Sequence, residues 1–237
     1  MNSLLDNDYK MIHKLKKYNI SKTNIDEVYD VLKKIKIYLT RSDQNGKKSQ
    51  YIFDPKGTNK EIKQELVNID WIPNYKIPNN YSSLGKDVDF YKNGVIIEVQ
   101  FSNYPFLLNN VVRSELFFKN SNMLNKKIEC LVIITKVKAF PSSNSTLYFE
   151  QASNQLDLLS KNNLFSIPII LIGLDCEINQ KQKVILTEYK ETRHSKESIS
   201  KKLLEIEIKQ KTCNTSFSFG QALRSVETKS TLDGFFA

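Results

Sequence analysis

Asp87, Asp89, Glu98 and Gln100 are the residues whose types and spacing best suit chemistry. They lie in Gly85-Lys-Asp-Val-Asp-Phe-Tyr-Lys-Asn-Gly-Val-Ile-Ile-Glu-Val-Gln-Phe101, which reads as two strands joined by Asn93-Gly94. Both turn residues tolerate the positive φ that a type I′ hairpin needs. That turn sets Lys92 opposite Val95, Tyr91 opposite Ile96, Phe90 opposite Ile97, Asp89 opposite Glu98 and Asp87 opposite Gln100. Side chains alternate along a strand, so the four polar residues share one face, and Val88, Phe90, Ile97 and Val99 share the other. Opposed Cβ atoms lie about 5 Å apart, where like charges repel. The acidic pair therefore calls for a cation, and a hard divalent ion such as Mg²⁺, which takes oxygen ligands and keeps several waters, suits it. The alternative is a solvated acidic face on an edge hairpin, with Lys86 and Lys92 as ion partners.

The charge balance points to a polyanionic partner. Lys and Arg number 35 against 26 Asp and Glu, a net charge of +9, and the sequence pI is ≈ 9.2. A field of that sign favours nucleic acid or an anionic surface and says nothing about fold. With 237 residues, 40% of them hydrophobic, the chain has length for a real core in one large domain or two small ones. The longest apolar run, Ile167 to Leu174, is too short to span a bilayer and is interrupted by Pro168. No signal peptide is evident at Met1 to Tyr18. Cys130, Cys176 and Cys213 are odd in number and far apart, which fits a reducing compartment. The expected location is intracellular, cytoplasmic or nucleoid-associated, or nuclear for a eukaryotic or viral chain. His13 and His194 show no metal-ligand spacing, and neither a G-x-S-x-G elbow nor a phosphate loop occurs, so zinc, acyl transfer and nucleotide hydrolysis lose ground.

The elements that must hold the hairpin follow from periodicity. Asn24 to Leu39 reads as a helix with Asn24-x-x-Glu27 as a capping box. A polar loop spans Arg41 to Gln50, Asp54-Pro-Lys-Gly57 is a turn, and Thr58 opens a second helix with Ile62, Leu66 and Ile69 inward. Trp71 to Ser83 reads as a loop. Pro105 starts a third helix ending near Lys119. Ile128 to Thr135 and Ile167 to Leu174 are strands covered on both faces, Thr146 to Lys161 is a helix, and Lys183 to Tyr189 a short strand. The sum is α/β: a mixed β-sheet flanked by helices. Residues 1–195 read as one folded domain that carries the acidic hairpin. Residues 196–237 form a basic, partly flexible tail with a possible helix around Ser200 to Ile208.

Ile52-Phe-Asp-Pro-Lys-Gly-Thr-Asn59, Asp87-Val-Asp-Phe90, Glu98-Val-Gln-Phe-Ser-Asn-Tyr-Pro-Phe-Leu-Leu-Asn-Asn110, Arg113-Ser-Glu-Leu116 and Ser143-Asn-Ser-x-Leu-Tyr148 together resemble the BglII/BstYI group of type II restriction endonucleases. The likeness runs from about Arg41 to Ile199. It implies a PD-(D/E)XK restriction-endonuclease-like core whose acidic hairpin binds Mg²⁺ and hydrolyses double-stranded DNA. By this resemblance Asp89 is the metal-binding carboxylate, helped by the backbone carbonyl of Val99, while Glu98 and Gln100 flank the attacking water. Asn74 matches a supporting polar residue. Gln100 stands where most of the superfamily carries lysine; a neutral amide can only hold water by hydrogen bonds, so more of the activation falls to the metal.

The resemblance also makes Ser102 and Asn103, with Ser143, Asn144 and Ser145, readers of base edges in the major groove. The alternative for Asn144 and Ser145 is capping of the following helix. It implies a palindromic site with a GATC core, its flanking pair read near His194. A palindrome implies a two-fold homodimer, with the helix from Pro105 as part of the interface. Finally, Lys229-Ser-Thr-Leu-Asp-Gly-Phe-Phe236 resembles a sliding-clamp-binding peptide, with Leu232, Phe235 and Phe236 as an apolar plug. Two other readings stand beside the restriction enzyme: a mismatch- or damage-directed repair nuclease recruited by a clamp, and a DNA-binding protein without catalysis.

Overall fold

The Asn93-Gly94 turn forms as its chemistry dictates, with φ of 46° and 84°. It joins β5 (Asp87–Lys92) to β6 (Val95–Val99), paired antiparallel as Lys92 with Val95, Tyr91 with Ile96 and Phe90 with Ile97. The structure, a computed structural model, describes residues 9–11, 22–46, 48, 50–121, 123–142, 146–190, 198–209 and 226–227. Among these, the hairpin sits in a six-stranded mixed sheet, order β1-β8-β7-β6-β5-β4. The further members are β1 (Tyr9–Met11), β4 (Ile72–Lys76), β7 (Cys130–Lys136) and β8 (Ile169–Leu174). β6, β7 and β8 run parallel, and β7 and β8 are buried throughout, as unbroken apolar strands require.

Helices cover both faces of this sheet. On one side Val88, Tyr91, Ile96, Leu131, Ile133 and Leu171 pack with Leu107, Val111 and Phe117 of α3 (Pro105–Lys119) and Ala152 and Leu156 of α4 (Phe149–Lys161). On the other, Phe90, Ile97, Val132 and Ile170 pack with Val28 and Leu32 of α1 (Lys22–Leu32) and Ile62 and Leu66 of α2 (Pro55–Val67). A second sheet closes that side, order β11-β10-β9-β2-β3. It comprises β2 (Ile37–Arg41), β3 (Tyr51–Phe53), β9 (Lys181–Tyr189), β10 (Ser198–Ile208) and β11 (Val226–Glu227). The layering is α/β, as the sequence implies. No helix among the described residues is long and apolar enough to cross a membrane.

Several local expectations are corrected. α1 ends at Leu32, and Ile37–Arg41 is a strand, because β2 finds β9 in parallel and β3 antiparallel, partners that no local window reveals. Asn24 lies inside α1, so its capping box does not form; Glu27 instead pairs with Lys92 at 2.7 Å. The Asp54-Pro-Lys-Gly segment is the start of α2. Asp54 is its N-cap, accepting from the Lys56 N–H, and Pro55 follows at the first position, where its missing N–H costs nothing. Gly57 is needed there: a Cβ would lie 2.5 Å from Asp54 Oδ2 and 2.7 Å from Tyr38 Cδ1. Trp71 to Ser83 contains β4 and a 3₁₀ turn over Asn79–Leu84; Pro73 is accommodated because β4 ends the sheet. Residues 198–208 are strand β10, paired to β9 along almost its whole length, where a helix was expected. α4 begins at Phe149 with Tyr148 as N-cap, and Asn144 and Ser145, the expected caps in the alternative reading, lie outside the described residues. Of the expected tail, Leu232, Phe235 and Phe236 lie outside the described residues.

Candidate active site

Strict alternation predicts Val88 and Phe90 on one face, and the structure corrects this. Val88 packs with Tyr91 and Ile96 toward α3 and α4, whereas Phe90 packs with Ile97 toward α1 and α2. The strand therefore changes face at Asp89. On β4 the register Pro73 with Phe90 and Tyr75 with Val88 sets Asn74 opposite Asp89, and Asn74 has a φ of 49°. Asparagine tolerates this left-handed conformation better than most residues, so both strands turn together at this pair. In place of a ladder pairing with Glu98, the Asp89 carboxylate accepts the Val99 N–H through Oδ2 at 2.8 Å.

Asp89 consequently opens into a cavity of about 200 Å³ lined by Asn59 and Lys63 of α2, Asn74, Phe90 and Val99. Burial raises its pKa, with Asp87 adding to the effect; the Val99 N–H, Arg113 and Lys63 oppose it. A carboxylate held up by burial gains from any further cation.

Glu98 and Gln100 point instead toward α3. Glu98 is only 4% exposed and forms a short ion pair with Arg113 Nη2. The Arg113 guanidinium also donates to the Leu84 and Asp87 carbonyls at 3.3 Å each and to Asn110 Oδ1 at 3.3 Å. Asn110 in turn donates from Nδ2 to Gln100 Oε1 at 3.4 Å, and Gln100 Nε2 donates to the Asn103 carbonyl at 3.1 Å. Glu98, Arg113, Asn110 and Gln100 thus form one chain of hydrogen bonds along one helix face, Asn110 and Arg113 being three residues apart. Burial pushes the Glu98 pKa up to about 8; Arg113 opposes this, and nearby Asp89 reinforces it. The two carboxylates sense each other without being ladder partners.

In the alternative of a solvated acidic face the expected ion partners are Lys86 and Lys92; Glu98 instead pairs with Arg113. Lys92 binds Glu27 and the Ile69 carbonyl, and Asp87 pairs with Lys76. Asn110 and Arg113, which hold Gln100 and Glu98, are not singled out by residue type. Both lie within the motif run, but their three-residue spacing on a helix that starts at Pro105 was the only sign of a polar face turned inward.

Ser102 and Asn103 follow Gln100 and are exposed, in the connection between β6 and α3. Ser143, Asn144, Ser145 and His194 lie outside the described residues. No group of three or more His, Cys, Asp or Glu able to hold a metal occurs among the described residues. The donors on the cavity wall are the Asp89 carboxylate and the Val99 backbone, a hard-oxygen set with few protein ligands. That composition fits Mg²⁺, which binds through one or two carboxylates and keeps its waters.

An acidic hairpin within a mixed sheet, its Glu98 and Gln100 side chains held by a covering helix, defines a restriction-endonuclease-like core. The model of the family "Restriction endonuclease BglII/BglIII" matches residues 18–174, beginning well before Arg41, where the recognisable motifs start. The type II restriction enzyme BglII of Bacillus subtilis is 46% identical over 171 residues, covering 72% of this chain and 77% of that enzyme. Two solved structures agree. One is restriction endonuclease BglII complexed with a DNA 16-mer (TM-score 0.84, 37% identity, 93% of this chain and 98% of that one). The other is free BglII (TM-score 0.70, 33% identity, with the same coverage). The chain belongs to the BglII/BglIII restriction endonuclease family, and is a homologue of a type II, site-specific DNA endonuclease.

Proposed function

We propose that this protein is a Mg²⁺-dependent endonuclease that hydrolyses phosphodiester bonds in double-stranded DNA at a palindromic site with a GATC core, acting as a homodimer inside the cell. The observation that carries this is the paired arrangement at the end of β6. Asp89 faces a cavity that Val99 also lines, while Glu98 and Gln100, on either side of Val99, are held toward α3 by Arg113 and Asn110. Bound Mg²⁺ would supply a Lewis acid that polarises the phosphate and lowers the pKa of water.

The chain's own residues do the rest. Asp89 and the Val99 carbonyl would hold the ion, with the Val99 N–H fixing the Asp89 carboxylate through Oδ2. Gln100, oriented at both ends of its amide, keeps a second N–H and a second lone pair to hold water. Glu98 is the group able to exchange a proton near neutral pH, since burial pushes its pKa up to about 8. Lys63 and Asn59 on the cavity wall are placed to meet the phosphate backbone, where a lysine offsets charge. Ser102 and Asn103 read bases from the exposed turn, with Ser143, Asn144 and Ser145 reading from the segment before α4. Asn74 supports Asp89 across the strand pair.

The homodimer is supported by α3, which leaves Leu108 and Val112, four residues apart on one stripe, 43% and 60% exposed. Tyr104 continues this apolar stripe one turn earlier and is also exposed. Such a patch calls for a partner surface.

Purified protein with Mg²⁺ and unmodified plasmid tests the proposal. Discrete fragments are expected whose sequenced ends share one palindrome, and Asp89→Ala should bind DNA yet cut at least a hundredfold more slowly. Cleavage by Asp89→Ala near the wild-type rate would overturn the site. Cutting confined to mismatched or damaged duplex would favour a repair nuclease, and specific binding with no cutting a non-catalytic DNA-binding protein. The clamp reading of 229–236 rests on sequence alone; equal recovery of a clamp by the wild-type peptide and by Phe235→Ala/Phe236→Ala would remove it.

A further inference from the structure

Lys136, the last residue of β7, is 1% exposed, yet no part of the proposed chemistry uses it. Its ammonium donates to the Phe101 carbonyl at 2.8 Å, to Thr146 Oγ1 at 2.6 Å and to the Leu147 carbonyl at 3.3 Å. All three of its N–H bonds are therefore used, and all three acceptors are neutral. The rings of Phe53, Tyr148 and Phe101 stand 5.2, 5.3 and 5.9 Å from it, within cation–π range. Thr146 completes the arrangement: its hydroxyl donates to the same Phe101 carbonyl at 2.7 Å while accepting from Lys136. Leu147 N–H donates to the Ser102 carbonyl at 3.0 Å.

Burying an ammonium without a counter-ion costs several kcal/mol, and burial alone draws the Lys136 pKa down to about 7. A hydrophobic side chain of similar length would fill this space more cheaply. What lysine adds is direction: one point ties the exit of the catalytic strand to the segment entering α4. Gln100 lies one residue before the tied carbonyl, and Ser102 and Asn103 one and two residues after it. Any slip of Phe101 moves the catalytic amide and the base-reading turn together.

We propose that Lys136 is a positioning residue that couples base recognition at Ser102 and Asn103 to the catalytic strand, by fixing Phe101 against Thr146 and Leu147. This rests on the reading of the site as a sequence-specific nuclease. The measurement is kcat/KM on duplexes carrying the mapped site and on duplexes with one base pair of it changed, for the full-length wild type, Lys136→Met and Thr146→Val. Loss of folded enzyme scales both rates equally and leaves their ratio intact; loss of positioning lowers the ratio. Lys136→Met is expected to reduce discrimination at least tenfold, and Thr146→Val severalfold. An unchanged ratio in Lys136→Met overturns the inference. Should Lys136→Met fail to fold, Thr146→Val, which keeps shape and the backbone ladders, decides by the same criterion. Wild-type protein that shows no preferred site would sink the nuclease reading itself; a discriminating wild type with equally discriminating variants sinks only the role of Lys136.

Discussion

Replacing Glu98 by glutamine separates electrostatics from shape at the centre of the site. Glu98 titrates near 4.5 as a free side chain and near 8 in the folded protein, chiefly because burial disfavours its charge. The folded state thus keeps a proton that the unfolded chain releases. Stability from this group is full below pH about 4.5 and is lost as pH rises toward 8. Each pH unit of that window is worth about 1.4 kcal/mol, so Glu98 alone lowers stability by on the order of 5 kcal/mol from below pH 4.5 to above pH 8. Glu98→Gln, with the same shape and no titration, should flatten that slope and exceed wild type in stability at pH 8. Urea denaturation with EDTA at pH 5, 6.5 and 8, followed by intrinsic fluorescence, reads both effects, while cleavage activity should fall sharply. Parallel pH profiles for the two proteins would mean that Arg113 keeps Glu98 ionised throughout, and the argument from burial would be wrong.

Lys63→Met should weaken DNA binding and reduce the slope of log affinity against log salt by about one ion, measured by fluorescence anisotropy; an unchanged slope would take Lys63 off the phosphate backbone. Leu108→Glu/Val112→Glu should yield a monomer in sedimentation velocity, with cleavage of both strands lost. Gly57→Ala should destabilise by about 1–3 kcal/mol, because its Cβ meets Asp54 and Tyr38 at the start of α2; a thermal midpoint equal to wild type would contradict the close contact.

The hairpin was legible because everything that sets it is local. Asn93-Gly94 fixes the turn, the turn fixes the register from Lys92 to Phe90, and the polar residues announce themselves by type. The third helix was legible to its ends for the same reason, from Pro105 to the loss of apolar spacing after Lys119. The second sheet was not, since β2 looks like the continuation of α1 until β9, nearly 150 residues later, is beside it, and β10 is recognisable only as β9's partner.

Residue types and their order alone determined the α/β class and the family, and singled out Asp89, Glu98 and Gln100 as the candidate site, because motifs and alternation are properties of neighbouring residues. Tertiary structure alone decided which way those side chains face. The change of face at Asp89 and Asn74, the inward turn of Arg113 and Asn110, and the burial of Lys136 beneath Phe101 all arise where segments distant in sequence compete for the same space. Packing settles that competition, and no local pattern encodes it.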